Sequence, residues 1–227
     1  RARQAMPVFD QPDLKARWTV SLEVPRAWAT VANGAALVRE PVAGERDVVR
    51  FAETKPLPTY LVAFAAGRFR VDSAVRDGRT LRMFHREGDP AKVARNRDEV
   101  FDLHARALRW MEEYTGIRHP WEKLDVFLAP AFQFGGMEQA GAIFYNAPGL
   151  LLDTTATQAQ RLGRANVIAH EVAHLWFGDL VTMRWFDDVW LKEVFANFFA
   201  AKIVNPAFPE VNHPLRFFLS HHPAAYD

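Results

Sequence analysis

His170-Glu171-Val172-Ala173-His174 sets two imidazoles four residues apart. On a helix that spacing turns by about 40°, so both rings leave one face and can grip a single cation. Further along, Glu193 stands inside Trp190-Leu191-Lys192-Glu193 and offers a carboxylate as third ligand. Two neutral imidazole nitrogens and one carboxylate suit one Zn2+, and a catalytic zinc site keeps its fourth position for water. Such an ion lowers the pKa of a bound water from about 15.7 towards 7 and polarises a substrate carbonyl. Glu171, beside the ligands, is placed to take that water's proton and pass it to a leaving amine. The chemistry is amide hydrolysis. The bland alternative makes the two histidines exposed polar residues and Glu171 a salt-bridge partner. Its neighbours argue against this, because Ile168, Val172, Leu175 and Trp176 cover the other sides. A helix apolar nearly all round is buried, and buried imidazoles and carboxylates need partners or a metal to offset desolvation.

A second constellation is Phe134-Gly135-Gly136-Met137-Glu138-Gln139. Consecutive glycines permit close approach of backbone to a ligand and leave amides and carbonyls free to bind it as an added strand. Glu138 then sets a carboxylate at the end of that strand. Read alone, Gly-Gly is a turn and Glu138 a loop charge. Asn197, one turn beyond Glu193, is a candidate to hydrogen-bond a metal ligand, or a core amide satisfied by backbone; both readings stay open. His221-His222-Pro223 reads as a turn rather than another metal site, and His85, His104 and His119 lack partners at ligand spacing. Trp185, Phe186, Trp190, Phe195, Phe198 and Phe199 form a dense aromatic group, expected in the core, with the border of a side-chain pocket as the alternative for one of them.

The elements that must position these groups follow from pattern. With 49% hydrophobic and 13% aromatic residues in 227, the chain has material for one generous core or two modest domains. Its net charge of +1 gives no uniform field to attract nucleic acid or a membrane surface. The absence of cysteine excludes disulfides and thiolate metal sites. No apolar stretch is long enough to span a bilayer, and Leu57 to Gly67 is among the longest. No signal peptide opens the chain, which begins mid-pattern at Arg1 and reads as the interior of something longer. Compartment and oligomeric state stay open.

Residues 16 to 71 alternate apolar and polar over short runs, as in Trp18 to Val24 and Asp47 to Phe51, which predicts antiparallel strands joined by turns. A hairpin is expected at Asp77-Gly78. Asp89-Pro90 then starts a helix that carries Val93, Val100, Leu103, Ala107, Leu108 and Met111 and stops at Gly116. Leu124 to Leu128 and Ala142 to Tyr145 read as strands flanking the glycine-rich stretch. The HExxH helix is expected from about Gln158 to Phe177, stopped by Gly178. After a connector whose Asp187 and Asp188 can cap it, a further helix should run from about Val189 to Asn205. There Leu191, Val194, Phe195 and Phe198 form an apolar stripe, opposite Glu193, Ala196, Asn197 and Ala200, whose small members allow close approach to the HExxH helix.

Taken in order, Gly135-Gly136-Met137-Glu138-Gln139, the HEVAH run and Trp190 to Ala196 resemble the GxMEN, HExxH and WLxEGFA signatures of the zinc aminopeptidases of the membrane alanyl aminopeptidase family. Ala2 to Pro12 and Thr59 to Gly67 resemble two segments of that family's N-terminal β-domain. The resemblance implies an α+β fold: the end of an antiparallel β-domain over residues 1–73, then the first part of a thermolysin-like catalytic domain over 74–227. It implies one Zn2+ on His170, His174 and Glu193, with Glu171 as general base. Gly135, Gly136 and Met137 would line the scissile peptide and Glu138 would hold the substrate's free α-amino group. Peptides with a free amino terminus are the expected partners; nucleic acid is not. Gln139, Val194, Arg184 and Gln11 depart from the family's usual residues; Val194, on the apolar stripe, is expected to be tolerated. The family's transition-state tyrosine lies some tens of residues beyond the glutamate ligand, and Tyr226 is too near Glu193 to replace it. The chain is therefore expected to be a piece carrying the metal site without the full catalytic set. A leukotriene-type epoxide hydrolase and an inactive scaffold of the same fold are the competing readings, and intact zinc ligands with an intact Glu171 count against the scaffold.

Overall fold

In the computed structural model, which describes residue 4 and residues 6–221, the alternating first third of the chain forms five short strands. These are β1 (Ser21–Pro25), β2 (Ala29–Ala32), β3 (Ala36–Val42), β4 (Arg46–Phe51) and β5 (Phe64–Gly67). They pair antiparallel as one sheet ordered β1-β4-β3 and a two-stranded β2-β5 ladder. The inward positions Val24, Ala32, Val49 and Phe51 close a small core of their own, as a period-two pattern demands.

A second, five-stranded sheet follows from β6 (Arg70–Arg76), β7 (Arg79–His85), β8 (Leu124–Ala129), β9 (Gly136–Met137) and β10 (Ala142–Asn146). Its order is β6-β7-β8-β10-β9; β7, β8 and β10 run parallel, and the outer strands are antiparallel to their neighbours. The hairpin between β6 and β7 turns at Asp77-Gly78 with φ of +50° and +73°, the left-handed pair that a two-residue turn requires. The expected division at 73/74 falls inside β6, all of which pairs within this sheet. The parallel step from β7 to β8 is made by α1 (Pro90–Thr115), where Asp89 accepts from the Ala91 N–H and Gly116 ends the helix at φ +68°. Central β8 is buried along its whole length.

Short α2 (Ala147–Leu150) leads to α3 (Gln158–His174), whose start is fixed by a reciprocal Thr157–Gln160 capping box. Then come α4 (Val189–Val204) and α5 (His213–His221). Ile168 and Val172 of α3 are fully buried in one core with Met83, Val126, Leu128 and Ile143 of the sheet, contributing roughly 1.5–3 kcal/mol each. The first five strands are tied to this unit by Asn33. Its Nδ2 donates to the carbonyls of Leu61 (2.8 Å) and Ala140 (2.9 Å), and its Oδ1 accepts from Ala63 N (2.8 Å).

Five expectations are corrected. Helix α3 stops at His174 rather than Phe177, because the next N–H groups fold back tightly onto Val172 and Ala173. Asp188 makes no side-chain cap to α4; a 3-10 turn, Phe186–Asp188, runs straight into the helix. The stripe Leu191, Val194, Phe195 and Phe198 is exposed, Val194 to 54%, whereas Lys192, Ala196, Phe199, Ala200 and Ile203 are buried. Close packing chose the face that carries small residues, and the larger side chains were turned outward. For the same reason only Phe199 of the aromatic group lies in the core, and Trp185, Phe186, Trp190, Phe195 and Phe198 do not. His221 is the last residue of α5, not part of a turn; His222, Pro223, Tyr226 and Asp227 lie outside the described residues, as do Ala2, Arg3 and Ala5. Among the described residues no helix is long and apolar enough to cross a membrane.

Candidate metal centre

Helices α3 and α4 meet through alanines. Ala165, Ala169 and Ala173 on one and Ala196 and Ala200 on the other are all nearly inaccessible, which lets the backbones approach closely. That approach brings Glu193 to the histidines. Its Oε2 lies 3.2 Å from His170 Nε2 and 3.5 Å from His174 Nε2, and the two Nε2 atoms are 3.0 Å apart.

The outer nitrogens decide what those inner atoms are. His174 Nδ1 faces the Phe177 carbonyl at 2.9 Å, and His170 Nδ1 faces Asn197 Oδ1 at 3.0 Å. Both partners are acceptors, so each Nδ1 donates, and in the neutral rings both Nε2 atoms then present lone pairs. Two lone pairs and a carboxylate converging at these distances repel one another unless a cation lies between them. The donor set of two imidazoles and one carboxylate fits zinc. The three sequence-predicted ligands are thus brought together, and Asn197 bonds one of them.

Glu171 leaves the same helix towards β9. It is only 5% exposed, and burial, reinforced by the charges of Glu138 and Glu193, pushes its carboxyl well above the usual carboxylate range. Gly136 makes room for it: a Cβ there would sit 2.5 Å from Glu171 Cγ and Oε1. β9 is the terminal strand of its sheet, paired on one side with β10 through Gly136↔Tyr145 and Met137↔Phe144. Gly135 uses its carbonyl to accept from Asn146 N at 3.0 Å. The other edge of β9 has no strand partner among the described residues. Just past β9, Glu138 is only 2% exposed, and a carboxyl oxygen of it lies within 4.8 Å of one of Glu171 and of a ring nitrogen of His174. Burial works against its charge, but Lys192, through its field and a direct bond, holds its carboxyl below the usual range.

Sequence reasoning missed three residues here. Lys192 Nζ donates to Glu138 Oε1 at 2.6 Å and Glu193 Oε1 at 2.7 Å. A signal existed: Lys192 shares the helical face of Ala196, Ala200 and Ile203, and a cation on a close-packed face needs a buried partner. Tyr60, from the first third of the chain, donates to the Gly178 carbonyl at 3.1 Å, and its ring lies 5.8 Å from Lys192 Nζ. Asp179 is wholly buried beside them. Neither had a local signal, because their neighbours are distant in sequence. His104 is a closed structural pair: Nδ1 donates to the Val100 carbonyl, and Nε2 accepts from Tyr145 Oη at 3.0 Å.

Comparison with known proteins agrees with this geometry. Residues 99–226 match the Peptidase family M1 domain and residues 1–61 the Peptidase M1 N-terminal domain. The chain is 38% identical over 219 residues to a puromycin-sensitive aminopeptidase of Caenorhabditis elegans, covering 95% of this chain and 23% of that protein. It is 34% identical over 211 residues to a leucyl aminopeptidase of Saccharolobus solfataricus, covering 93% and 26% respectively. With aminopeptidase M1 of Arabidopsis thaliana it shares 35% identity over 215 residues, 92% of this chain and 23% of the relative. The chain spans about a quarter of the length of these curated relatives.

Proposed function

Because the chain belongs to the peptidase M1 family, we propose that it carries the zinc and amine-anchoring site of an aminopeptidase that removes the first residue from peptides with a free amino terminus. The observation that carries this reading is the pair of Nε2 atoms 3.0 Å apart beside Glu193, with two further buried carboxyl groups, Glu171 and Glu138, on the side facing β9.

His170, His174 and Glu193 would hold the zinc, with Asn197 and the Phe177 carbonyl fixing the imidazole tautomers. Bound zinc supplies Lewis-acid polarisation of the scissile carbonyl and lowers the pKa of a water molecule. The substrate backbone lies along the free edge of β9, where Gly135, Gly136 and Met137 leave room for it. Glu138 accepts the α-ammonium in charge-assisted hydrogen bonds, which fixes the scissile bond one residue from the chain end. Glu171 removes a proton from the attacking water and delivers it to the leaving amine. Burial raises its pKa, which makes it a stronger base towards that water.

The test uses the full-length protein after dialysis against zinc, with leucine arylamide and its N-acetyl derivative as substrates. Acetylation removes the charge that Glu138 recognises, a loss of roughly 1.5–3 kcal/mol, so the free amine should be preferred about ten- to a hundredfold. Equal turnover of both, or cleavage within a blocked peptide, contradicts the exopeptidase reading.

A further inference from the structure

Lys192 is a buried cation at the amine-anchoring end of the site, and its ammonium already holds the carboxylate that a substrate's ammonium needs. Nζ lies 2.6 Å from Glu138 Oε1 and 2.7 Å from Glu193 Oε1. One carboxylate has lone pairs for several donors, but two ammonium groups on Glu138 would repel each other in a site with little water. A substrate that binds there must meet Lys192.

A second carboxyl group lies near the same lysine, within reach of its charge though not paired with it. A Cβ built on Gly178 would come within 3.4 Å of Lys192 Cδ, so the backbone of Gly178 rests on the lysine stem. The next residue, Asp179, is 0% exposed, and among the described residues neither of its carboxyl oxygens has a hydrogen-bond partner. Lys15 reaches Asp179, but its bond at 3.3 Å is to the carbonyl oxygen. The loop is held from the other side by Tyr60, whose hydroxyl donates to Gly178 and whose ring faces Lys192 Nζ. An unpartnered buried carboxyl is costly and rare. Here it stands beside a flexible cation that has another anion to leave.

We propose that Lys192 is the resident counter-ion of Glu138, that a substrate's α-ammonium displaces it, and that Asp179 receives the displaced ammonium. This rests on the aminopeptidase reading above. Glu193 contacts Lys192 as well and serves as the pivot, so the lysine head swings while its stem stays on Gly178. The exchange keeps one cation on each buried carboxyl in the bound state and spares the substrate a like charge at its anchor. Asp179 is then a positioning residue that acts through Lys192, and its removal weakens substrate binding because the displaced lysine has nowhere to go.

Crystal structures of the natural full-length protein with and without free L-leucine test this directly. With leucine on Glu138, Lys192 Nζ should move to about 3 Å from an Asp179 oxygen; Lys192 remaining on Glu138 beside the bound ammonium overturns the proposal. A kinetic cycle provides the second arm, each protein being checked for zinc content. Asp179→Asn should raise KM for leucine arylamide about tenfold in the natural background and less than about twofold in a Lys192→Met background, because the two act as a unit. An equal rise in both backgrounds marks Asp179 as structural only and overturns the exchange. The crystal comparison needs no variant, so it decides the matter even if Asp179→Asn fails to fold. A zinc-loaded protein that neither turns over the arylamide nor binds leucine at Glu138 overturns the aminopeptidase reading together with this proposal, whereas turnover with an unmoved Lys192 overturns this proposal alone.

Discussion

Replacing Gly136 by alanine adds one methyl group at the point where β9 passes Glu171. The new Cβ would lie 2.5 Å from Glu171 Cγ and Oε1 and 2.6 Å from Cδ, where ordinary contact begins at 3.4 Å. Something must therefore give by roughly 1 Å. Glu171 is 5% exposed on a helix locked by Ile168 and Val172, and Gly136 is held by its pairing with Tyr145, so neither side yields freely. Overpacking of this kind costs about 1–3 kcal/mol of stability. A displacement of the base by about 1 Å costs on the order of a hundredfold in turnover. The assay is leucine arylamide hydrolysis by the zinc-loaded full-length Gly136→Ala protein, with a denaturant melt of the same sample. Gly135→Ala is the stability control, because its Cβ would meet only Val167 Cγ2 at 3.3 Å, which a small adjustment relieves. Full activity and parental stability in Gly136→Ala, with Glu171 unmoved, would refute the claim that the glycine exists to clear the base.

Three other outcomes are expected. Glu171→Gln keeps size and zinc but removes the base, so turnover in the full-length protein should fall by about 10²–10⁴ with KM changing less; near-normal turnover at full zinc occupancy defeats the assignment. Glu138→Ala should erase most of the preference for leucine arylamide over its acetylated form, and retention of that preference would mean the amine is held elsewhere. Burial holds His104 neutral, lowering its pKa from 6.5 to about 4. Its contribution to stability is therefore fully present above about pH 6.5 and is lost as pH falls towards 4, by up to about 3 kcal/mol. Urea melts between pH 7 and 4.5 should show this fraction of the acid sensitivity disappear in His104→Gln, and identical pH profiles for the two proteins would rule it out.

What the sequence made legible was local. Asp89-Pro90 and Gly116 bracket α1 because caps act within a few residues, and Asp77-Gly78 fixes its hairpin through the backbone of those two residues alone. The HExxH pair was legible because four residues make one helical turn, and Glu193 because Ala196 and Ala200 flagged a face built for close approach. Helix α4 was misread at its other face: it is apolar on nearly every side, so periodicity could not tell Phe195 and Phe198 from Phe199, and small-residue packing decided. Tyr60 gave no sign, since its partner Gly178 lies more than a hundred residues along the chain, and Asp179 gave none, since the lysine near it belongs to a separate element, α4. Lys192 was readable in principle, as a charge on the alanine face.

Anomalous diffraction at the zinc edge, from crystals of the full-length protein dialysed against zinc, tests the central claim most directly. The account predicts one strong peak in contact with His170 Nε2, His174 Nε2 and the Glu193 carboxylate, with Asn197 and the Phe177 carbonyl still holding the two Nδ1 atoms. Zinc found elsewhere, with these three side chains turned apart, would contradict it.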